Sequence, residues 1–171
     1  MAYMPPEQLV TLKAAILAEL NPAFIAMRIA NNEQGMSDWY NLPAVPDYYV
    51  ERSTLSRHDI LTGTSDDGTT FTWAGLAYIG RAQGERDAFR EMFNSTGTVI
   101  PSLASIKAAF ADIFSGAGGA GNRAHITALS RRAARRIERL FAAGLGTKAA
   151  PSVLGFEGTI TAQNVSDALR A

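Results

Sequence analysis

Arginine is the residue type whose spacing in this sequence could do chemistry. Arg131, Arg132, Arg135, Arg136 and Arg139 crowd into one short stretch, with Glu138 the only acidic residue among them. On a helix, Arg131, Arg135 and Arg139 align at i, i+4 and i+8, and Arg132 and Arg136 flank them. Like charges at that spacing repel by about a few tenths of a kcal/mol per pair. A guanidinium binds carboxylate and phosphate groups bidentately. Such a stripe therefore suits acidic neighbouring subunits, a partner protein or DNA, and the plainer alternative is a solvated helix face. No aromatic residue interleaves with these arginines, which weakens a platform for stacking single-stranded bases.

Other chemistry-bearing spellings are weaker. Gly116-Ala-Gly118-Gly-Ala-Gly121 matches G-x-G-x-x-G. That motif holds a dinucleotide only when a strand precedes it and a helix follows. Here the preceding stretch, Ala108 to Phe114, has helical spacing, so a flexible link between helices is the better reading. His58 beside Asp59, with Ser56 before them, lacks the spatial relations of a triad and suits a capping or surface role. Asp66-Asp67 lacks the alternating ligands of a calcium loop and reads as a solvated turn. With no cysteine and only two histidines, His58 and His125, there is no disulfide frame, thiolate nucleophile or His-based metal cluster to build. We expect no catalytic residue, no cofactor, no bound metal and no enzyme activity.

At 171 residues, 47% hydrophobic and 19% charged, the chain is long and apolar enough to fold around a sizeable core. The formal net charge is zero, which argues against a uniformly basic nucleic-acid coat. The start, Met1-Ala-Tyr-Met-Pro-Pro-Glu, has neither the charged start nor the apolar run of a signal peptide. Apolar stretches are broken by charge too often to span a bilayer. Cytoplasmic residence, without a membrane partner, is the expectation.

The elements that must position these residues follow from periodicity. Pro5-Pro6-Glu7 opens a helix carrying Leu9, Leu12, Ile16 and Leu20, which ends at Asn21-Pro22. A second, nearly apolar helix holds Phe24, Ile25, Met27 and Ile29. Met36 to Asn41 is one helical turn with Trp39 and Tyr40. Tyr48 to Arg52 is extended. Ser56-x-x-Asp59 spells a capping box for a short helix. Thr62 to Thr72, around Asp66-Asp67-Gly68, is turn chemistry with a small hairpin. Helical spacing returns from Trp73 to Phe93, with its first half weakened by glycines, and again after Pro101-Ser102.

Ser115 to Gly121 reads as a mobile glycine–alanine linker. Asn122 to Ala143 reads as the clearest helix, with Ile126, Leu129, Ala133, Ile137, Leu140 and Phe141 on one stripe. Ile137 and Leu140 are expected core residues. Beyond Gly144 and Gly146 the chain reads as a looser C-terminal arm, with few core residues for its length, that docks on a partner and ends in a short helix capped by Thr161. The fold class is mainly α: a helical bundle with a small extended or hairpin segment in the middle. The domain reading is a helical domain over 1–144 with an internal linker at 115–121, then an arm over 145–171.

Charge is uneven along the chain. Residues 1–120 hold 8 basic and 13 acidic residues, and residues 121–171 hold 8 and 3. Chance is one reading. The other is a polar protomer that attracts a neighbour head to side.

Several stretches together resemble a family of small structural proteins of tailed bacteriophages. They are Leu12-Lys-Ala-Ala-Ile-Leu17, Trp39-Tyr40-Asn41 with Pro43, Pro46 and Tyr48-Tyr49, and Val99-Ile-Pro-Ser102. The run from Ala128 to Phe141, Gly146-Thr147 with Pro151, and Gly155 to Thr161 complete the series. The similarity lies in whole-chain order and is weakest over Thr62 to Gly84. It is greatest to head–tail connector, or adaptor, proteins. What the resemblance implies is a non-enzymatic virion subunit of the neck region, assembled in the host cytoplasm. It would form a homo-oligomeric ring, twelve-fold by that resemblance, that joins the portal protein to tail or stopper proteins and lets DNA pass. The alternative is a helical DNA-binding or packaging-associated phage protein that uses the arginine face.

Overall fold

The computed structural model describes residues 4–171; Met1, Ala2 and Tyr3, on which the reading of the N-terminus partly rests, lie outside the described residues. The chain is mainly helical, as periodicity predicts. Its helices are α1 (Pro6–Ala18), α2 (Pro22–Ile29), α3 (Glu33–Asn41), α4 (Arg57–Thr62), α5 (Gln83–Glu91), α6 (Ala104–Ile113), α7 (Gly116–Leu129), α8 (Arg136–Phe141) and α9 (Ala162–Arg170). Among the described residues the short strands β1 (Tyr49–Glu51), β2 (Leu55–Ser56), β3 (Thr98–Val99) and β4 (Arg131–Ala133) pair as β1 with β4 and β2 with β3. The β2–β3 pair is antiparallel, with Leu55 opposite Val99. Among the described residues no single helix is long and apolar enough to cross a membrane; α1 and α2 pass that test only together, bent by 113° at their junction.

Two compact units divide the chain. Unit 1 comprises Met1–Val50 and Ala133–Ala171, and unit 2 comprises Glu51–Arg132. This division cuts across the expected boundary at residue 144. It also dissolves the charge asymmetry. Unit 1 holds 7 basic and 8 acidic residues, and unit 2 holds 9 and 8, so neither carries a net charge beyond one. The polarity along the sequence is not a polarity between the two folded units.

Unit 1 is built from α1, α2, α3, α8 and α9. Pro6 occupies the first position of α1, where no N–H is needed. Asn21 caps α2 by accepting from the Ala23 N–H at 3.0 Å, and Asn32 caps α3 by accepting from Gly35 N–H at 2.9 Å. Leu12 and Ile16 face inward from α1, and the Phe24 ring meets Trp39 and Tyr40 at 5.8 and 5.6 Å. The C-terminal stretch is no arm. Phe156, Ile160, Val165 and Ala168 are all buried in this core, and α9 packs on α1 and α3. Phe156, Ile160 and Val165 each contribute about 1.5–3 kcal/mol on burial, so the docking surface expected there is already used internally. Thr161 and Asn164 form the capping box of α9.

Unit 2 contains α4 to α7 around an aromatic core of Phe71, Tyr78, Phe89, Phe93, Phe110 and Phe114. Edge-to-face pairs dominate it, such as Phe89–Phe114 at 5.5 Å. Two buried polar side chains on α7 tie α4 and the 69–77 segment to it. Asn122 donates to the Thr72 and Ala77 carbonyls at 2.9 and 3.0 Å and accepts from Thr72 N–H at 2.7 Å. His125 Nε2 lies 2.9 Å from the Ile60 carbonyl, an acceptor, so that nitrogen carries the proton and Nδ1 faces the Thr69 hydroxyl at 3.2 Å. The turn at Asp66-Asp67-Gly68 closes a Thr64–Thr70 bridge, with Gly68 at φ 75°.

Two expectations about the chain's second half are overturned. Gly116 to Gly121 is not a linker but the first turns of α7. Its glycines permit close approach: a Cβ at Gly118 would strike Leu76, and one at Gly119 would strike the Phe114 carbonyl. The preceding element is the helix α6, so the G-x-G-x-x-G spelling lacks its strand. Nor is 122–143 one helix. It stops at Leu129, passes through β4 and restarts at Arg136. The single apolar stripe is thereby shared between two cores, with Ile126 and Leu129 in unit 2 and Ile137 and Leu140 in unit 1.

Candidate functional site

Breaking the helix disperses the five arginines. Arg131 and Arg132 belong to unit 2; Arg135, Arg136 and Arg139 belong to unit 1. Arg131 is buried and forms ion pairs with Asp66, at 3.1 Å, and with Asp67. Both the arginine and the acidic turn are thus accounted for structurally. Arg132 is partly buried in β4. Arg135 stands at the N-cap of α8, its Nη1 3.7 Å from Glu138. Glu138 is fully buried; it accepts from the backbone N–H groups of Arg135 and Gly158 at 2.9 and 3.0 Å.

Arg136 and Arg139 remain together, one helical turn apart on α8. The Arg136 guanidinium lies 3.8 Å from the centre of the Trp39 ring, and its Nε donates to the Pro43 carbonyl at 3.4 Å. Arg139 Nη1 donates to the Val45 carbonyl at 2.9 Å, with the guanidinium 5.4 Å from the Tyr48 ring. Each cation is fixed by one carbonyl and one aromatic face. Among the described residues neither lies within ion-pair distance of a carboxylate.

These two arginines border a groove of about 790 Å³ in unit 1, walled by the end of α1, by α3 and by α8. Ala15, Ala18 and Leu140 give it an apolar lining, and Leu20 and Val45 border it as well-exposed apolar side chains. Glu19 also lines it, its Oε1 engaged by the Asn21 N–H at 3.0 Å. Burial pushes the Tyr40 phenol well above its ordinary pKa, Glu19 adds to that, and Arg136 opposes it. Tyr40 therefore stays neutral across the physiological range.

What the groove can do chemically is bind: it offers two fixed cations, aromatic faces and an apolar border. Among the described residues no three histidine, aspartate or glutamate side chains converge as metal ligands. His58, on α4, has its Nε2 3.4 Å from the Thr62 hydroxyl, and Asp59 is bound into the Ser56 capping box. Sequence reasoning finds Arg136 and Arg139 but misses Trp39, Tyr48, Glu19 and Val45 as their companions. The aromatics do meet the arginines, through tertiary packing and not through interleaving in sequence. The only signal available was the Trp39-Tyr40 pair on its own helical turn.

No protein-family model matches the chain, and neither a curated protein nor a solved structure is found to be similar to it.

Proposed function

We propose that this chain is a non-enzymatic structural subunit of a tailed-bacteriophage virion, a head–tail connector subunit that assembles into a ring between portal and tail and lets DNA pass. The observation that carries the reading is where the family-like stretches fall. Leu12 to Leu17, Trp39 to Tyr49, the end of the arginine-rich run, Gly146-Thr147 and Gly155 to Thr161 belong to unit 1, while Val99 to Ser102 and the start of that run, Ala128 to Arg132, belong to unit 2. Thr62 to Gly84, which resembles the family least, belongs to unit 2. A resemblance in chain order that falls mostly within one compact unit supports a shared fold there better than evenly scattered similarity would.

The groove bordered by Arg136 and Arg139 supports the same reading, because assembly subunits need surfaces with fixed charges facing outward. Negative-stain microscopy of the purified full chain, alone and mixed with a portal protein, tests it. Rings with a central opening are the expected result. A chain that stays monomeric in both conditions, yet is retained on DNA in a salt-sensitive way, would replace the connector with a packaging-associated DNA binder.

A further inference from the structure

We propose that the groove of unit 1 binds an extended acidic–apolar peptide segment of a partner protein, with a carboxylate held by Arg136 and Arg139 and a neighbouring apolar side chain against Leu20 and Val45. The ligand chemistry follows from unit 1 by itself and does not depend on ring assembly.

Charge complementarity comes first. Arg136 and Arg139 are each anchored by a backbone carbonyl and an aromatic ring, so their orientation is set before any ligand arrives. Preorganised side chains lose less entropy on binding. The guanidinium N–H groups not engaged by Pro43 and Val45 are those a carboxylate would use, and carboxylate geometry matches that fork.

The apolar part follows from exposure. Leu20 is 82% exposed and Val45 71% exposed, and both border the groove. Covering them removes apolar surface from water, which a purely ionic ligand would not do. Glu19 sets the direction of the segment: it lies on the α1 side and repels an acidic side chain there, so the carboxylate registers at the α8 side.

Nucleic acid fits less well. A phosphate chain wants several cations along a track and open aromatic faces for bases. Here Glu19 interrupts the cationic lining, and the Trp39 face is already covered by Arg136.

The test uses the full chain carrying Trp73→Phe, which leaves Trp39 as the sole tryptophan. Random dodecapeptides are selected by display on this protein, and the winners are titrated by Trp39 fluorescence. Expected are sequences with Asp or Glu next to Leu, Ile, Val or Phe, and a changed Trp39 emission on binding. The double variant Arg136→Gln/Arg139→Gln should bind about tenfold more weakly, the effect of losing a charge-assisted hydrogen bond. Arg170→Gln, outside the groove, should bind as the parent does. Should the double variant not fold, Leu20→Glu alters only an exposed residue and should weaken the acidic peptides by a similar factor. Selected peptides without an acidic bias, or affinities unmoved by these groove variants, would overturn the proposal. Tighter groove-dependent binding of a thymidine oligonucleotide than of any peptide would overturn it too.

Discussion

The Arg136 guanidinium and the Trp39 ring, 3.8 Å apart, join α8 to α3 through a cation–π contact. This contact shows why the arginine-rich stretch is not one solvated face. Its members have individual tertiary partners: Asp66 and Asp67 for Arg131, Trp39 for Arg136, and Tyr48 with Val45 for Arg139.

The Arg136–Trp39 contact is expected to stabilise unit 1 by about 0.5–2 kcal/mol. Urea denaturation of Arg136→Gln, Trp39→Leu and the double variant would measure it as a coupling energy. Additive single losses would show that the stacking contributes nothing.

Glu138 is fully buried and bonded to Arg135 N–H and Gly158 N–H. Glu138→Ala leaves those two backbone donors without their acceptor, while the Arg135 guanidinium stays partly solvated, and should cost about 1–3 kcal/mol per stranded donor. Glu138→Gln keeps one acceptor oxygen, so its loss should be smaller. Thermal unfolding distinguishes the two, and equal midpoints would contradict the bonding scheme.

Removing Asn122 should loosen the 72–77 segment. The substitution Asn122→Ala strands the N–H and carbonyl of Thr72 and the carbonyl of Ala77. Thr72 is exposed and Ala77 half-buried, so water takes up part of each lost bond, and each is worth about 0.5–1.5 kcal/mol net. Hydrogen exchange should quicken at Thr72 N–H, and global stability should fall by about the sum of the three bonds. Unchanged exchange at that amide would count against the role.

Two glycines of α7 should respond to alanine with opposite signs. Gly121 has open space where a Cβ would go, so Gly121→Ala should gain about 0.5–1 kcal/mol from helix propensity and a less flexible unfolded chain. At Gly118 the same change drives a methyl into Leu76 and should be destabilising. Thermal midpoints that rise for both would show that the loop does not press on the helix.

The Ser56 cap should be pH-dependent. Hydrogen bonds from the Ser56 side chain and backbone lower the Asp59 pKa from its ordinary 3.8; burial opposes them, and the neighbouring Arg52 and His58 add weaker lowering effects. A carboxylate whose pKa is lower when folded adds stability that is present above its unfolded value and lost as pH falls through its folded value. Ser56→Ala should therefore cost about 1 kcal/mol near neutrality, and the gap to the parent should narrow below about pH 4. A gap that is constant from pH 7 to pH 3 would contradict the capping box.

What the sequence determined by itself is the local chemistry: the helical class, the starts of α1, α2, α4 and α9, the Gly68 turn and the inward position of Ile137. Caps, proline and apolar spacing act over a few residues, so they can be read in the order they are written. The break between Leu129 and Arg136 could not be read that way. Ser-Arg-Arg-Ala-Ala-Arg contains no helix breaker, and the only local hint is the Ser130 hydroxyl bonded back to Ile126 at 2.8 Å. The extended path is held by distant backbone. Arg52 N–H donates to the Ser130 carbonyl, Ala134 N–H to Tyr48, Ala44 N–H to Ala134, and Arg136 N–H to Leu42. Those bonds satisfy the groups that a continuous helix would have satisfied internally, while the break lets Arg131 reach its aspartates and Arg136 reach Trp39. Tertiary structure alone decided that exchange, because residues 42–52 carry no mark in sequence of the backbone they will meet.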